Sequence, residues 1–219
     1  MKVLVACEES QRVCIAFRER GHEAYSCDII ECSGGHPEWH IQGDVLPLLK
    51  GRCEFATADG ITHRIDGKWD LIIAHPPCTY LSNAGAARLY PKKCELNWER
   101  YEKGLQAKAF FMKFYNAPCD KICIENPIPT RIFGLPPYTQ TIQPYEHGHP
   151  YSKKTCLWLK GLPELTPTNI VEPICSWVSG GSKDNHGNKR KNCGMTFRDS
   201  KTKSKTFEGI AKAMAEQWG

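Results

Sequence analysis

Two short polar stretches, each placed directly after a buried-strand pattern, carry residue types that suit nucleophilic and acid–base chemistry. Residues 71–74 form an apolar, β-branched run that ends before Pro76-Pro77, where a sheet ladder cannot continue, and Cys78 follows on the stiffened loop. Residues 122–124 form a second buried run, which is followed by Glu125-Asn126-Pro127. Open α/β sheets bind ligands at the carboxyl ends of their strands. The pattern therefore predicts a thiol and a carboxylate in the same kind of position on two strands.

Each of these two residues also has a purely structural interpretation. Free cysteine is among the most buried residue types, and Cys78 is one of twelve cysteines. Glu125 could be satisfied by backbone amides of its own loop. From the residues alone, both interpretations stay open.

The start of the chain predicts the first half of an α/β sheet. Residues 2–6 fit a buried strand, residues 9–20 an amphipathic helix, and residues 23–29 a second strand that ends on Asp28. An acid at that place bonds ribose hydroxyls in nucleotide-binding sheets. The first turn lacks a glycine fingerprint, and its acids Glu8 and Glu9 would repel a pyrophosphate. A ligand with a ribose and a positive centre, such as S-adenosylmethionine, fits these charges better.

The remaining pattern predicts further elements around this sheet. Asp44 precedes a short helical segment that ends near Lys50, and it supplies a second acid at the sheet edge. Residues 53–68 predict a hairpin, and residues 97–115 predict a helix that covers the sheet. We expect the core face of this helix to contain the apolar residues at helical spacing, which are Trp98, Tyr101, Leu105, Ala109 and Met112, with Phe111 and Tyr115 on an adjacent stripe.

Cys32, His36 and His40 lie close enough in sequence to suggest a zinc site. This stretch lacks a fourth nearby ligand and the paired CxxC spacing that is typical of structural zinc sites. The sequence therefore predicts no metal site.

Composition indicates one globular domain. The chain has 219 residues, of which 41% are hydrophobic and 24% are charged. No apolar run approaches the length of a membrane span, and the opening apolar run is too short for a signal-peptide core. We therefore expect a cytoplasmic protein without a membrane partner, and reduced thiols at its scattered cysteines.

The net charge of +5 is concentrated in one segment. Residues 180–205 carry eight lysines and arginines against two acids. A polyanion is a natural partner for this segment, and a solvated basic loop without a ligand is the alternative. The predicted nucleic-acid-binding residues are Lys183, Lys189, Arg190, Lys191, Arg198, Lys201 and Lys203.

Together, Pro76-Pro77-Cys78 and Glu125-Asn126-Pro127 resemble the paired catalytic motifs of the cytosine-5 DNA methyltransferases, and the chain is most similar to small phage-encoded methylase-like proteins of this kind. Further segments match family motifs in the same order along most of the chain. They are residues 3–12, Asp28, Gly43-Asp44-Val45, Ser152-Lys153-Lys154-Thr155, and Ser204-Lys205-Thr206 with the helix predicted after it. In place of the family's large target-recognition region, the chain has only about fifty residues, 157–206.

The resemblance implies a fold and a reaction. The fold is α/β, a Rossmann-like S-adenosylmethionine-dependent methyltransferase sheet with helices on both faces, formed by a single domain, 1–219, with a basic flexible insertion at 179–205. The reaction is methylation of cytosine carbon 5 in DNA, with Cys78 adding to carbon 6 and Glu125 acting as the acid, its pKa raised by burial.

The resemblance also implies roles for other residues. Pro77 belongs to the nucleophile loop, Asn126 holds that loop, and Lys153 and Lys154 hold a phosphate or the base carbonyl oxygen. The implied contacts to S-adenosylmethionine come from Ala6, Cys7, Glu8, Ser10, Gln11, Asp28, Ile29, Asp44, Val45, His75, Pro76, Lys205 and Thr206.

Two alternatives to DNA methylation stay open. The same thiolate chemistry could act on a free pyrimidine nucleotide, because the recognition region is short. A non-catalytic protein could also keep the fold and bind nucleic acid through its basic segment.

Overall fold

The computed structural model describes residues 1–92, 95–177 and 200–219, and the side chains of residues 200 and 201 are outside this description. Its strands and helices, in chain order, are β1 (Lys2–Ala6), α1 (Arg12–Glu19), β2 (Glu23–Asp28), β3 (His40–Gln42), β4 (Cys53–Ala56), β5 (Thr62–Ile65), β6 (Leu71–Ala74), α2 (Trp98–Tyr115), β7 (Ile122–Pro127), β8 (Gln140–Ile142), β9 (Tyr151–Ser152), β10 (Thr155–Lys160), β11 (Cys175–Ser176), α3 (Ser200–Ser204) and α4 (Glu208–Trp218).

The central sheet has seven strands in the order β3-β2-β1-β6-β7-β10-β8. The first five strands are parallel, whereas β10 is antiparallel to both β7 and β8. The order of the parallel strands reverses between β1 and β6, because the chain builds outward from β1 to β3 and then returns to its other side. This is the doubly wound arrangement whose switch point binds ligands in open α/β sheets.

Helices cover both faces of the sheet. Val3, Val5 and Ile73 face one core, where α1 and α4 contribute Phe17 and Met214. The alternate residues Leu4, Ile72 and Ile124 face the other core, where α2 contributes Phe111 and Phe114. Successive strand residues point to opposite faces, so continuous apolar runs are required when both faces are covered. The predicted fold class is confirmed as an α/β, Rossmann-like sheet with helices on both faces.

The predicted core face of α2 is correct only in part, because Tyr101 and Met112 pack against the core and Phe111 lies within it. Trp98 is 67% exposed and Leu105 is 43% exposed, while the buried positions are Gly104, Phe111 and Phe114. Apolar residues occur on more than one side of this helix, so their spacing does not define a single face. The buried side is set by close packing, because a Cβ atom at Gly104 would lie 2.0 Å from the ring of Phe133.

The helix predicted over residues 9–20 begins later, at Arg12. Gln11 has a left-handed backbone with φ of 58°, so the right-handed helix cannot extend back through it. The predicted strand at residues 2–6, the hairpin formed by β4 and β5, and the last helix are confirmed.

The stretch around His40 forms β3, which the sequence pattern did not predict. The buried His40 ring places Nδ1 2.9 Å from Ser26 Oγ and Nε2 3.0 Å from the Ile30 carbonyl oxygen. His40 therefore anchors an edge strand. Among the residues that the structure describes, no group of three or more His, Cys, Asp or Glu side chains is placed to hold a metal ion.

Nine of the described cysteines are free thiols, but Cys175 is disulfide-bonded. The expectation of reduced thiols is therefore wrong at Cys175. No helix within the described ranges is long and apolar enough to cross a membrane.

The basic segment, residues 180–205, is described only from residue 200 onward. Lys183, Lys189, Arg190, Lys191 and Arg198, and with them most of the predicted insertion at 179–205, lie outside the described residues. Lys201 and Lys203 belong to α3.

Candidate active site

The loop that carries Cys78 leaves the sheet at the end of β6, beside the end of β1. The His75 backbone N–H donates to the Ala6 carbonyl over 2.9 Å, which extends the pairing of β1 and β6 by one residue. Pro76 is buried and Pro77 is exposed, and neither can donate a backbone hydrogen bond. The Cys78 carbonyl then accepts hydrogen bonds from the N–H groups of residues 81 and 82, at 3.1 and 2.9 Å. A tight turn therefore fixes the half-buried Cys78 just beyond β6.

Side chains from β7 and α2 hold this loop. Asn126 Nδ2 donates a 2.8 Å hydrogen bond to the Pro76 carbonyl, as the resemblance implied. Arg100 Nη2 donates a 2.8 Å hydrogen bond to the Thr79 carbonyl, on the other side of Cys78. Arg100 was not predicted as a site residue, because no local sequence pattern links a helix residue to a loop twenty-one positions earlier. The cysteine is thus braced on both sides.

Glu125 pairs with His75 across the strands β6 and β7. His75 Nδ1 lies 2.9 Å from Glu125 Oε2, and each side chain is 12% exposed. The resemblance implied that His75 contacts the cofactor, but in the structure its Nδ1 is engaged by the glutamate.

This pair reverses the expected titration of Glu125. Burial raises the pKa of Glu125, but the hydrogen bond and charge of His75, with a smaller effect of Lys153, outweigh burial and lower it. Burial lowers the pKa of His75, but Glu125 and then Glu8 outweigh burial and raise it. Burial acts in the predicted direction, but the pair with His75 outweighs it, so the prediction of a raised Glu125 pKa is wrong.

The Cys78 thiol has a raised pKa. Burial is the largest cause, and the negative charge of Glu125 adds to it, while the positive charge of Lys153 opposes it. A thiolate at this position therefore needs additional positive charge or proton transfer during a reaction.

Lys153 supplies positive charge at this site. Its Nζ donates a 3.0 Å hydrogen bond to the Lys203 carbonyl and lies 5.9 Å from the centre of the Phe207 ring. The charge acts on Cys78, His75 and Glu125. Lys154 is exposed, and of these two lysines only Lys153 affects those three groups.

The first loop, residues 7–11, has a glycine-type backbone without glycine. Cys7 and Gln11 have φ of 59° and 58°, in the left-handed region that glycine adopts readily. Ala6, at the end of β1, is fully buried. The shape of a glycine-rich loop is therefore present, although its sequence signature is not.

Two side chains predicted to bind cofactor are engaged within the protein. The Glu8 carboxylate accepts hydrogen bonds from the N–H groups of Val13 and Cys14, at 2.7 and 3.2 Å, at the start of α1. The Gln11 amide bonds the backbone of His36 through both its oxygen and its nitrogen. These contacts fix the loop, so Glu8 and Gln11 shape it from inside, and Ser10 is also buried.

Acids do gather at the adjacent strand ends. Burial, followed by the charges of Asp28, Cys27 and Asp44, raises the pKa of the Cys7 thiol, so these groups lie near one another. Asp28 is half-buried and Asp44 is exposed. Ile29, directly after Asp28, is 77% exposed, whereas Val45 is buried in the core. Accessible carboxylates beside an exposed apolar side chain fit the ribose and adenine of S-adenosylmethionine, and Val45 supports this edge from below.

The segment before α4 returns to the first loop. Lys205 Nζ donates a 2.9 Å hydrogen bond to Ser33 Oγ and lies 3.9 Å from Glu9 Oε1. Arg12 Nη1 donates a 2.8 Å hydrogen bond to the carbonyl of the buried Thr206. Lys205 and Thr206 were predicted as cofactor-binding residues, whereas no role was predicted for Arg12.

No protein-family model and no curated protein matches the chain. Among solved structures, a protein described as a DNA modification methyltransferase encoded within an E. coli prophage is similar over 78% of this chain and 52% of its own, with 12% identity and a TM-score of 0.43. A triple mutant of Spodoptera frugiperda DNMT2 is similar over 80% of this chain and 57% of its own, with 14% identity and a TM-score of 0.38. The chain thus spans just over half of the length of each of these structures.

Proposed function

We propose that the protein is an S-adenosylmethionine-dependent DNA methyltransferase that modifies carbon 5 of cytosine, with Cys78 as the nucleophile and Glu125 as the acid. The observation that carries this proposal is the placement of Cys78 just beyond β6 and of Glu125 near the carboxyl end of the neighbouring parallel strand β7, with the Asn126–Pro76 hydrogen bond joining the two segments. The motifs around both residues support the same chemistry.

Cytosine carbon 5 is a weak nucleophile, and thiolate addition at carbon 6 makes it reactive. The Cys78 thiol first loses its proton to water, and the thiolate sulfur then forms a bond to carbon 6. The electron pair of the carbon 5–carbon 6 double bond moves through the ring to N3, where Glu125 delivers a proton. Lys153 offsets the negative charge of the thiolate and of the ring. S-Adenosylmethionine, when bound, supplies the methyl group. Water then takes the carbon 5 proton, and the carbon 6–sulfur bond breaks to release Cys78 as a thiolate.

The cofactor would lie at the carboxyl ends of β1 and β2. Asp28 would accept hydrogen bonds from the ribose hydroxyls, with Ile29 against the adenine and Asp44 at its edge. The first loop, held by Glu8 and Gln11, and Lys205 would border the methionine part.

A target base must leave the duplex stack to reach Cys78, at a cost of a few kcal/mol. Phosphate contacts from the basic segment would offset this cost. A free pyrimidine nucleotide avoids the cost altogether, so it is the second substrate class to test.

A non-catalytic nucleic-acid-binding protein is the competing function. The raised pKa of Cys78 favours it, because an inert buried thiol has this property.

Transfer of tritium from labelled S-adenosylmethionine to duplex DNA, single-stranded DNA and deoxycytidine nucleotides tests the proposal. We expect transfer with at least one DNA substrate, and a covalent adduct with DNA that contains 5-fluorocytosine. Cys78→Ala should abolish both, whereas Cys53→Ala, at a half-buried thiol on the β4–β5 hairpin, should abolish neither. Transfer to nucleotides alone would favour the second substrate class. Binding of DNA without transfer or adduct would favour the non-catalytic function.

A further inference from the structure

We propose that His75 stores the proton that Glu125 delivers to the base. This inference rests on the proposed function and extends it: His75 acts through Glu125 as a positioning and proton-supplying residue, and it does not touch the base.

The two side chains are held in a geometry that suits direct proton transfer. The His75 backbone is fixed to Ala6, and its Nδ1 lies 2.9 Å from Glu125 Oε2. Both residues lie at adjacent ends of paired strands and are nearly excluded from solvent. A proton can therefore move between the two side chains without rearrangement of either backbone.

The surroundings of His75 determine where its proton rests. Glu125 on β7 and Glu8 on the first loop favour the imidazolium, while burial and Lys153 oppose it. Glu8 is itself fixed by the backbone of α1. His75 Nε2 is buried and has no hydrogen-bond partner among the described residues, which leaves Nδ1 as the nitrogen that passes a proton to a neighbour. In the resting state that we propose, His75 is the imidazolium and Glu125 is the carboxylate.

The proton balance follows from that resting state. As the Cys78 thiolate bonds to carbon 6, negative charge moves onto ring N3. A proton accepted by N3 neutralises this charge. Glu125 gives a proton to N3 while His75 Nδ1 gives its proton to Glu125. The carboxylate is unchanged, the base carries the proton, and His75 ends as neutral imidazole. When Cys78 is eliminated, N3 releases its proton and the pair is restored by the reverse path.

A structural role for His75, in which it only holds Glu125 in place, makes a different prediction. His75→Asn keeps a side-chain N–H close to the position of Nδ1, but it holds no titratable proton. A structural role would survive this change, and a proton store would not.

The test combines adduct formation with direct observation of the imidazole. Rates of adduct formation with DNA containing 5-fluorocytosine are measured across pH for wild type, His75→Asn and Glu8→Gln, after thermal unfolding shows that each variant is folded. Imidazole ¹⁵N signals of the whole protein report the protonation of His75 without any substrate.

In wild type, the pKa of His75 should lie above its ordinary 6.5. The adduct rate should rise with pH as Cys78 ionises, level off as the pH passes the raised pKa of His75, and then fall at alkaline pH. His75→Asn should be slower by about 10²-fold, the lower end of what general acid catalysis contributes, and it should lose this alkaline limb. Glu8→Gln should move the limb to lower pH, because one of the two charges favouring imidazolium is gone.

Two failures are distinguishable. If wild type forms the adduct and His75→Asn has the same rate and pH profile, the proton-storing role is overturned and the methyltransferase proposal stands. If wild type forms no adduct and transfers no methyl group, the proposed function fails, and the role of His75 fails with it.

Discussion

The Asn126 side chain donates a 2.8 Å hydrogen bond to the Pro76 carbonyl, two residues before Cys78. It connects the loop after β6 to the strand that carries Glu125, so the residue next to the proposed acid also positions the loop of the proposed nucleophile. Because Asn126 is 1% exposed, water cannot replace this contact.

Replacement of Asn126 by alanine should therefore affect stability and chemistry together. We expect a loss of about 1–3 kcal/mol in the free energy of unfolding, since the Pro76 carbonyl loses its donor in a buried place. Urea denaturation measures this loss, and adduct formation measures the displacement of Cys78. Asn116→Ala, at an exposed position after α2, is the control and should change stability by less than about 0.5 kcal/mol. Equal effects of the two substitutions would contradict the bracing role.

Arg100 should matter more for activity than for stability. Its hydrogen bond to Thr79 and its position 5.0 Å from the centre of the Tyr80 ring hold the loop just after Cys78 at the protein surface. We expect Arg100→Ala to slow adduct formation by roughly tenfold, because small displacements of a nucleophile cost large rate factors. Arg88→Ala, at an exposed position in the same region, is the matched control. An unchanged rate of adduct formation in Arg100→Ala would show that the turn after Cys78 keeps its conformation without Arg100.

Gly104→Ala should destabilise the protein, although alanine normally favours a helix by about 1 kcal/mol over glycine. The added Cβ would lie 2.0 Å from the Phe133 ring, and overpacking of this kind costs about 1–3 kcal/mol. Thermal unfolding should show a lower midpoint, and Phe133→Leu in the same chain should recover part of it. Gly43→Ala, where no atom lies within 4 Å of the added Cβ, is the control. A higher midpoint for Gly104→Ala alone would contradict this packing.

His147 should make the protein less stable in mild acid. The ring is 3% exposed and its Nδ1 lies 3.1 Å from Thr168 Oγ. Burial, and then the nearby His149, lower the pKa of His147 below its ordinary 6.5, so the unfolded chain binds this proton first as the pH falls. Its contribution to stability is complete above pH 6.5 and is lost as the pH falls through the lowered pKa. Unfolding free energies of wild type and His147→Asn, measured between pH 8 and 5, should converge at the acid end. Parallel curves would contradict this assignment.

The basic segment should determine the salt dependence of nucleic-acid binding. Replacing Lys189, Arg190 and Lys191 with alanine removes three charges, and each phosphate that is no longer neutralised should reduce the slope of log K against log salt by about 0.9 on duplex DNA. Fluorescence anisotropy over a salt series measures the slope. A triple alanine variant at the exposed Lys50, Lys68 and Lys113 removes the same charge elsewhere. If both variants change the slope equally, net charge rather than this segment controls binding.

The central strands could be predicted from the sequence because buried runs such as Leu71–Ala74 leave few alternatives. The edge strand at His40 was missed because it is short and its polar residues are satisfied by tertiary contacts. Trp98 and Leu105 of α2 were predicted in the core but are exposed, because close packing at Gly104 sets which side of the helix is buried.

The residues of the candidate site could be proposed from the sequence, but the pKa shifts of their side chains could not. Cys78, Glu125 and Asn126 are recognisable by their motifs. The lowered pKa of Glu125 depends on a histidine fifty positions away, and the positions of Glu8 and Gln11 depend on backbone angles that their residue types do not favour. These are properties of the folded chain, so local sequence patterns do not contain them.

The contacts of Lys205 with Ser33 and of Thr206 with Arg12 indicate the order in which the site assembles. The Arg12–Thr206 hydrogen bond joins residues 194 positions apart, and the Lys205–Ser33 hydrogen bond joins residues 172 positions apart. Contacts of such long range close the largest loops and are slow to form. We therefore expect β1 and its parallel neighbours to assemble first. The surroundings of the first loop should reach their final arrangement only when α4 docks on α1.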